Sequence, residues 1–182
     1  MILSLRTWPS WTTSPGWATR WWLSSLMWMR PSRPSRTRTN APKLTSLVTV
    51  PVMKTHAKTG ITGSLKNQWG CLPKMRHEYH LVLDDALADL NSAMRPVFAV
   101  MDATVGLEGN GPKSGNPRVI DKVLASADPV ALDTIQAIFM GIDPATVKHL
   151  STCAARGIGT NVRERIEVRG AKPEAEAMRF QV

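Results

Sequence analysis

The chain has 182 residues, room for one ordinary domain, and a formal charge of +9 at pH 7. Residues 1–44 hold seven Lys/Arg and no acid, whereas residues 45–182 hold sixteen Lys/Arg against fourteen acids, so the second part is near +2. The excess charge therefore does not lie on a folded face that tracks phosphates, which excludes nucleic acid as the expected partner. No apolar run approaches the roughly 18–20 residues of a membrane span, so no membrane partner is expected either.

The first forty residues do not read like folded protein. Ser, Thr, Arg, Pro and Trp fill 29 of them, six of the seven tryptophans fall within the first 28, and the first acid in the chain is Glu78. Arg6, Pro9, Pro15 and Arg20 interrupt any export-signal core. Scattered tryptophans and prolines give no apolar face for an interfacial helix. The stretch from Pro31 to Thr39 is basic and of low complexity, with the composition of a disordered segment. The expectation is a shifted reading frame or misplaced start over residues 1–44, against a genuine basic anchor. Peptides from this region in native cells would overturn it.

Ordinary alternating sequence begins near residue 45, and an α/β domain is expected over residues 45–170. Leu47–Val52 predicts a buried parallel strand, followed by Lys54, His56 and a turn region at Gly60 and Gly63. Ser64–Trp69 predicts a short helix closed by Gly70. Leu83, Leu87, Leu90 and Met94 recur at helical spacing, giving a helix from Glu78 to Met94 that Pro96 stops. Val97–Met101 predicts a strand ending at Asp102, Gly106–Gly115 a glycine-rich loop, and Val119–Ala125 another strand. Asp128-Pro129 has the residues of an N-cap and first helical turn, and predicts a helix to Met140. Asp143-Pro144 predicts a second helix, to Arg156, ended by Gly157. Ile166–Val168 predicts a last short strand, and residues 171–182 a solvated tail. Strands alternating with helices imply a small, mostly parallel sheet with flanking helices, in an incomplete domain.

The candidate site follows from strand ends, where α/β folds place ligands. Lys54 and His56 are expected just beyond one strand and Asp102 at the end of the next, as catalytic candidates. The glycine-rich loop would add Glu108, Asn110 and Gly111. It is not a P-loop, because Pro112 precedes Lys113-Ser114, and it lacks the third glycine of a dinucleotide fingerprint. Lys66 and Asn67 are further ligand candidates; Asp133 is one if it faces the site, and otherwise favours its own helix dipole. Asp128 and Asp143 are better explained as caps. His77 and His80 stand three apart, one short of the metalloprotease spacing, and His149 is expected to be structural. Cys71 and Cys153 cannot build a four-cysteine cluster and suit two reduced thiols in the cytoplasm.

The runs Val50-Pro-Val-Met-Lys-Thr-His56, Thr59–Gly70, Val100-Met-Asp-Ala-Thr104, Glu108-Gly-Asn-Gly-Pro112 and Ala127-Asp-Pro-Val-Ala-Leu-Asp133 together resemble one family. It is the domain of unknown function 362, often found beside ferredoxin-type iron–sulfur modules. The resemblance places Lys54, His56, Lys66, Asn67, Asp102, Glu108, Asn110, Gly111, Asp128 and Asp133 on the family's characteristic positions. It implies a redox-associated α/β protein with a small anionic ligand or a metal at strand ends, or an accessory domain docking a ferredoxin-like partner. The N-terminal α/β portion and the cysteine-rich module usual in the family are not recognisable here, so no cofactor is assigned. Lys54 and Lys66 are expected to hold the anion, with His56 or Asp102 transferring a proton.

Overall fold

The computed structural model describes residues 46–72 and 74–181, and the side chains of residues 73–77 lie outside that description. The expectations for residues 1–44, and for the side chain of His77, fall outside it too.

β1 (Val48–Thr49) and β2 (Val52–His56) form one line interrupted at Val50-Pro51. Both run parallel to β4 (Phe98–Glu108), with Val48 opposite Phe98 and Val52 opposite Asp102. β3 (Gly60–Thr62) returns antiparallel on the outer edge of β2, and β5 (Asn116–Ser126) is antiparallel on the far edge of β4. The sheet is thus small and mixed, with three of its five strands running one way. With its flanking helices this is an α/β fold.

The helices are α1 (Ser64–Asn67), α2 (Leu83–Ala93), α3 (Pro129–Phe139) and α4 (Lys148–Ala155). α3 is buried nearly all round: most of its residues are apolar, and its buried Asp133, Thr134 and Gln136 are each hydrogen-bonded within the protein. Its Val130, Ile135 and Phe139 share the core with Met53, Ile61, Ala99, Met101 and Leu124 of the sheet and Leu150 and Cys153 of α4. Asp128 caps α3 as expected, accepting from the N–H groups of Val130 and Ala131 at 2.9 Å each. A second cluster joins Trp69 to Leu83, Leu87 and Leu90 of α2. Among the described residues, no helix is long and apolar enough to cross a membrane.

Several elements differ from the sequence expectation. β4 continues from Phe98 through Gly106 to Glu108, because its second half pairs with β5; only residues 109–115 remain as loop. The helix expected from Glu78 is 3-10 over Lys74–Val82 and α only from Leu83. The helix expected from Asp143-Pro144 breaks into a 3-10 turn, Pro144–Thr146, and α4. Between them Val147 adopts φ −90° and ψ 90°, outside the helical well. Ile166 is buried without a strand around it. The tail keeps exposed residues such as Lys172, Glu174 and Arg179, yet it is docked near its end: the N–H groups of Met178 and Phe180 donate to the carbonyls of Phe139 and Met140 at 2.7 and 2.9 Å. Phe180 is 8% exposed.

Candidate anion site

Side chains alternate along β2, so Met53 and Thr55 face one way and Lys54 and His56 the other. Both basic residues lie inside the strand, paired with Thr62 and Gly60, not beyond its end as expected from the sequence. The β2–β3 turn closes on His56, whose Nδ1 accepts from the N–H groups of Lys58 at 3.1 Å and Thr59 at 3.3 Å. An Nδ1 that accepts leaves the neutral ring's proton on Nε2. Burial, then the positive charges of Lys66, His80, Lys54 and Lys58, lower the pKa of His56 to about 4. Burial alone also lowers that of Lys54.

α1 contributes Lys66, which is 7% exposed, with its ammonium 5.5 Å from the ring centroid of Trp69. The Trp69 ring stands 5.9 Å from that of His80. α4 begins close by: Val147 Cγ2 lies 3.8 Å from where a Cβ on Gly60 would sit, and Gly60 is the cross-strand partner of His56. His149 follows, fully buried, its pKa lowered to about 4 by burial and by Lys66 and His56. The sequence offered no signal for His149, Trp69 or Lys58 as neighbours of this cluster. Their proximity depends on how α1, α4 and the turn meet.

The other expected members separate. Asp102 sits in mid-strand opposite Val52, not at a strand end; its Oδ1 accepts from the Thr104 N–H at 2.9 Å and hydroxyl at 2.7 Å. Asn67 ties α1 to β1 by donating from Nδ2 to the Thr49 hydroxyl at 2.9 Å. Glu108 leaves the site: its neighbour Leu107 is the partner of Lys54, so alternation turns Glu108 to the opposite face. There it lies 3.5 Å from Arg118 and accepts from the Gln181 N–H at 3.3 Å. Asn110 is exposed in the hairpin loop.

Gly111 acts through its backbone. A Cβ there would lie 2.1 Å from the Thr55 carbonyl oxygen, and its own carbonyl accepts from the Ala57 N–H at 3.2 Å. The Thr55 hydroxyl donates to the Gly109 carbonyl at 2.8 Å, so the loop docks against β2 beside Lys54 and His56. Asp133 is sealed in the interior, where its carboxylate caps α1.

Burial pushes the Cys153 thiol up to about 12, with Asp133 adding to it and Arg156 opposing, and burial also raises Cys71. Neither has the lowered pKa of a reactive thiolate. Two cysteines, one of them sealed in the core, do not fit the iron–sulfur cluster that the family resemblance implies nearby. Among the described residues, no group of three or more His, Cys, Asp or Glu is placed to hold a metal ion.

The profile of a domain of unknown function, DUF362, matches residues 37–137. The chain belongs to this family. The matched span includes Lys54, His56, Lys66 and Asp102 but ends before His149. The thylakoid-associated protein sll1697 of Synechocystis is 29% identical over 126 residues, covering 65% of this chain and 39% of that protein. The chain thus spans about two-fifths of that relative's length. No solved structure matches.

Proposed function

We propose that this DUF362 chain binds a small anionic ligand at the cluster of Lys54, His56 and Lys66, as part of a redox-associated α/β protein. The supporting observation is the convergence of Lys54, Lys58, Lys66 and His80 on His56, with no carboxylate among the charges that set its protonation. Such a field attracts an anion and repels a metal cation. In this reading Lys54 and Lys66 supply charge, and the Nε2–H of His56 supplies a directed hydrogen bond. His56 Nδ1 is already engaged by the Lys58 and Thr59 N–H groups, and Asp102 lies apart on β4, bonded to Thr104, so binding is the part of this reading that the cluster supports. The redox association rests on the family resemblance. Cys71 and Cys153, neither in a disulfide, suit a reducing, cytoplasmic compartment.

Isothermal titration of the full chain with sulfate tests this reading. Lys54→Met and Lys66→Met should each weaken binding about tenfold, as expected for loss of a charge-assisted contact. Lys122→Met, which removes an ion pair with Glu176 elsewhere, should not. Equal binding by all four proteins would overturn it.

A second reading, an accessory domain docking a ferredoxin-like partner, draws on Val48, Val50 and Phe98, which are 51%, 56% and 39% exposed. Exposed apolar side chains this close together suit a protein partner. Binding to such a partner without turnover of small molecules, weakened by Phe98→Ser, would favour it.

A further inference from the structure

We propose that His149 is the proton carrier of this site, so that a small oxyanion landing on Lys66 and His56 is taken up together with a proton held on the His149 ring. The inference rests on the anion reading above and adds what the ligand brings with it. It begins from an unusual burial. His149 is fully enclosed, yet neither ring nitrogen has a hydrogen-bond partner. Folded proteins rarely keep such a group in a core position that Leu or Phe would fill without loss. An imidazole left unmatched beside a positive cluster is positioned for a second state of that cluster.

Its surroundings define the two states. α1 presents Lys66, the positive neighbour of His149, and β2 presents His56, whose ring is itself neutral near pH 7. α2 presents Asp84, whose Oδ1 lies 3.9 Å from His149 Nδ1. On its own helix Lys148 faces Asp84, and Cys153 lies one turn on. α3 offers Asp133, which acts on Cys153, and the turn Pro144–Thr146 carries no titratable group. Without an anion, burial and the Lys66 charge keep the ring neutral. A bound oxyanion offsets that positive field, and Asp84, 3.9 Å from Nδ1, is placed to pair with a charged ring.

Of the two buried histidines, His149 is the one able to take the proton. Protonating His56 at Nδ1 would strip the Lys58 and Thr59 N–H groups of their acceptor. Protonating His149 displaces nothing. The ligand class is a phosphate or a carboxylate, since both present acceptor oxygens and negative charge.

The test uses the full chain and sulfate, which stays a dianion over the working range, so any proton taken up is the protein's. Titrations at pH 7 in buffers of different ionisation enthalpy should show uptake of roughly one proton per sulfate. On the same protein, nitrogen NMR should show the His149 ring moving from the neutral to the charged pattern. Its signals are assigned by elimination with His56→Gln, His77→Gln and His80→Gln, so the test does not depend on the folding of a His149 variant. His149→Gln should abolish the uptake and weaken sulfate about tenfold or more at pH 7. Malonate in place of sulfate separates the sources: tighter sulfate marks a phosphate ligand, and tighter malonate a carboxylate. Sulfate or malonate binding with no proton uptake and an unchanged His149 ring would overturn this inference and leave the anion reading standing. No binding of either would overturn both.

Discussion

Asp133 and Ser64 are joined twice, across 69 positions of sequence: Ser64 donates its N–H to Asp133 Oδ1 at 2.7 Å and its hydroxyl at 2.6 Å. The Leu65 N–H completes the set, donating to Oδ2 at 2.9 Å. α1 has only four residues and cannot satisfy its own leading N–H groups, so a carboxylate from α3 does it. Gly63 leaves room for this, since a Cβ there would lie 2.3 Å from Asp133 Oδ1. Asp133→Ala at pH 7 orphans two buried N–H donors, those of Ser64 and Leu65, while the Ser64 hydroxyl keeps the Pro129 carbonyl at 3.0 Å, and should cost about 2–4 kcal/mol in urea unfolding. Asp133→Asn keeps one acceptor oxygen and should cost less.

The pH dependence of stability is set by buried groups of opposite sign. Burial raises Asp133 to about 6, against the Ser64 and Leu65 hydrogen bonds, which lower it. Between about pH 4 and 6 the folded chain therefore keeps a proton that the unfolded chain has released. That contribution is full below pH 4 and is lost as pH rises through 6. His56 and His149, both lowered to about 4, run the other way. Their contribution is full above about pH 6.5 and is lost as pH falls towards 4. Two imidazoles outweigh one carboxyl, so urea midpoints should rise from pH 4 to 6.5. Asp133→Asn should steepen that rise and His149→Gln should flatten it.

What was legible in the sequence was local. Asp128-Pro129 announces α3 because a cap and its first turn lie within three residues. Lys54 and His56 stood out because they follow the β-rich run Leu47–Val52, and strand ends are where α/β folds place ligands. Long-range register was not legible. Between the pairs Val52/Asp102 and Lys54/Leu107, β2 advances two residues and β4 five, with an irregularity at Ala103–Val105. An odd difference reverses the faces, and this carries Glu108 away from Lys54. Nor does sequence spacing place His149 beside Lys66, since their neighbourhood is made by helices meeting in space.

The glycine-rich loop is held by close backbone approach, which gives Gly111 a testable role. Gly111→Ala would drive a Cβ against the Thr55 carbonyl and push the hairpin off β2. A cost of about 1–3 kcal/mol is expected, the range for forcing extra atoms into a packed site. Backbone amide exchange at Ala57, which donates to the Gly111 carbonyl, should quicken in the same variant. Unchanged exchange there would show that the loop does not need this contact.

The C-terminal residues offer the last test, because the same strand that lost Glu108 from the site gained a strap. Gly109 donates its N–H to the Gln181 carbonyl at 2.7 Å, and Gln181 returns its own to Glu108. Phe180 lies against Gly106, where a Cβ would come within 3.3 Å of its ring, and the Arg118 guanidinium stands 5.7 Å from the ring centroid. Phe180→Ala should therefore cost about 2–4 kcal/mol, somewhat below a wholly enclosed Phe because the ring is 8% exposed. Removing residues 178–182 should cost at least as much, since it also frees the carbonyls of Phe139 and Met140. Because the strap grips β4 on the face away from Lys54, sulfate affinity in folded Phe180→Ala should stay that of the parent chain. A matching loss of sulfate binding would instead mean that the strap holds the glycine-rich loop, and through it β2, in the binding geometry.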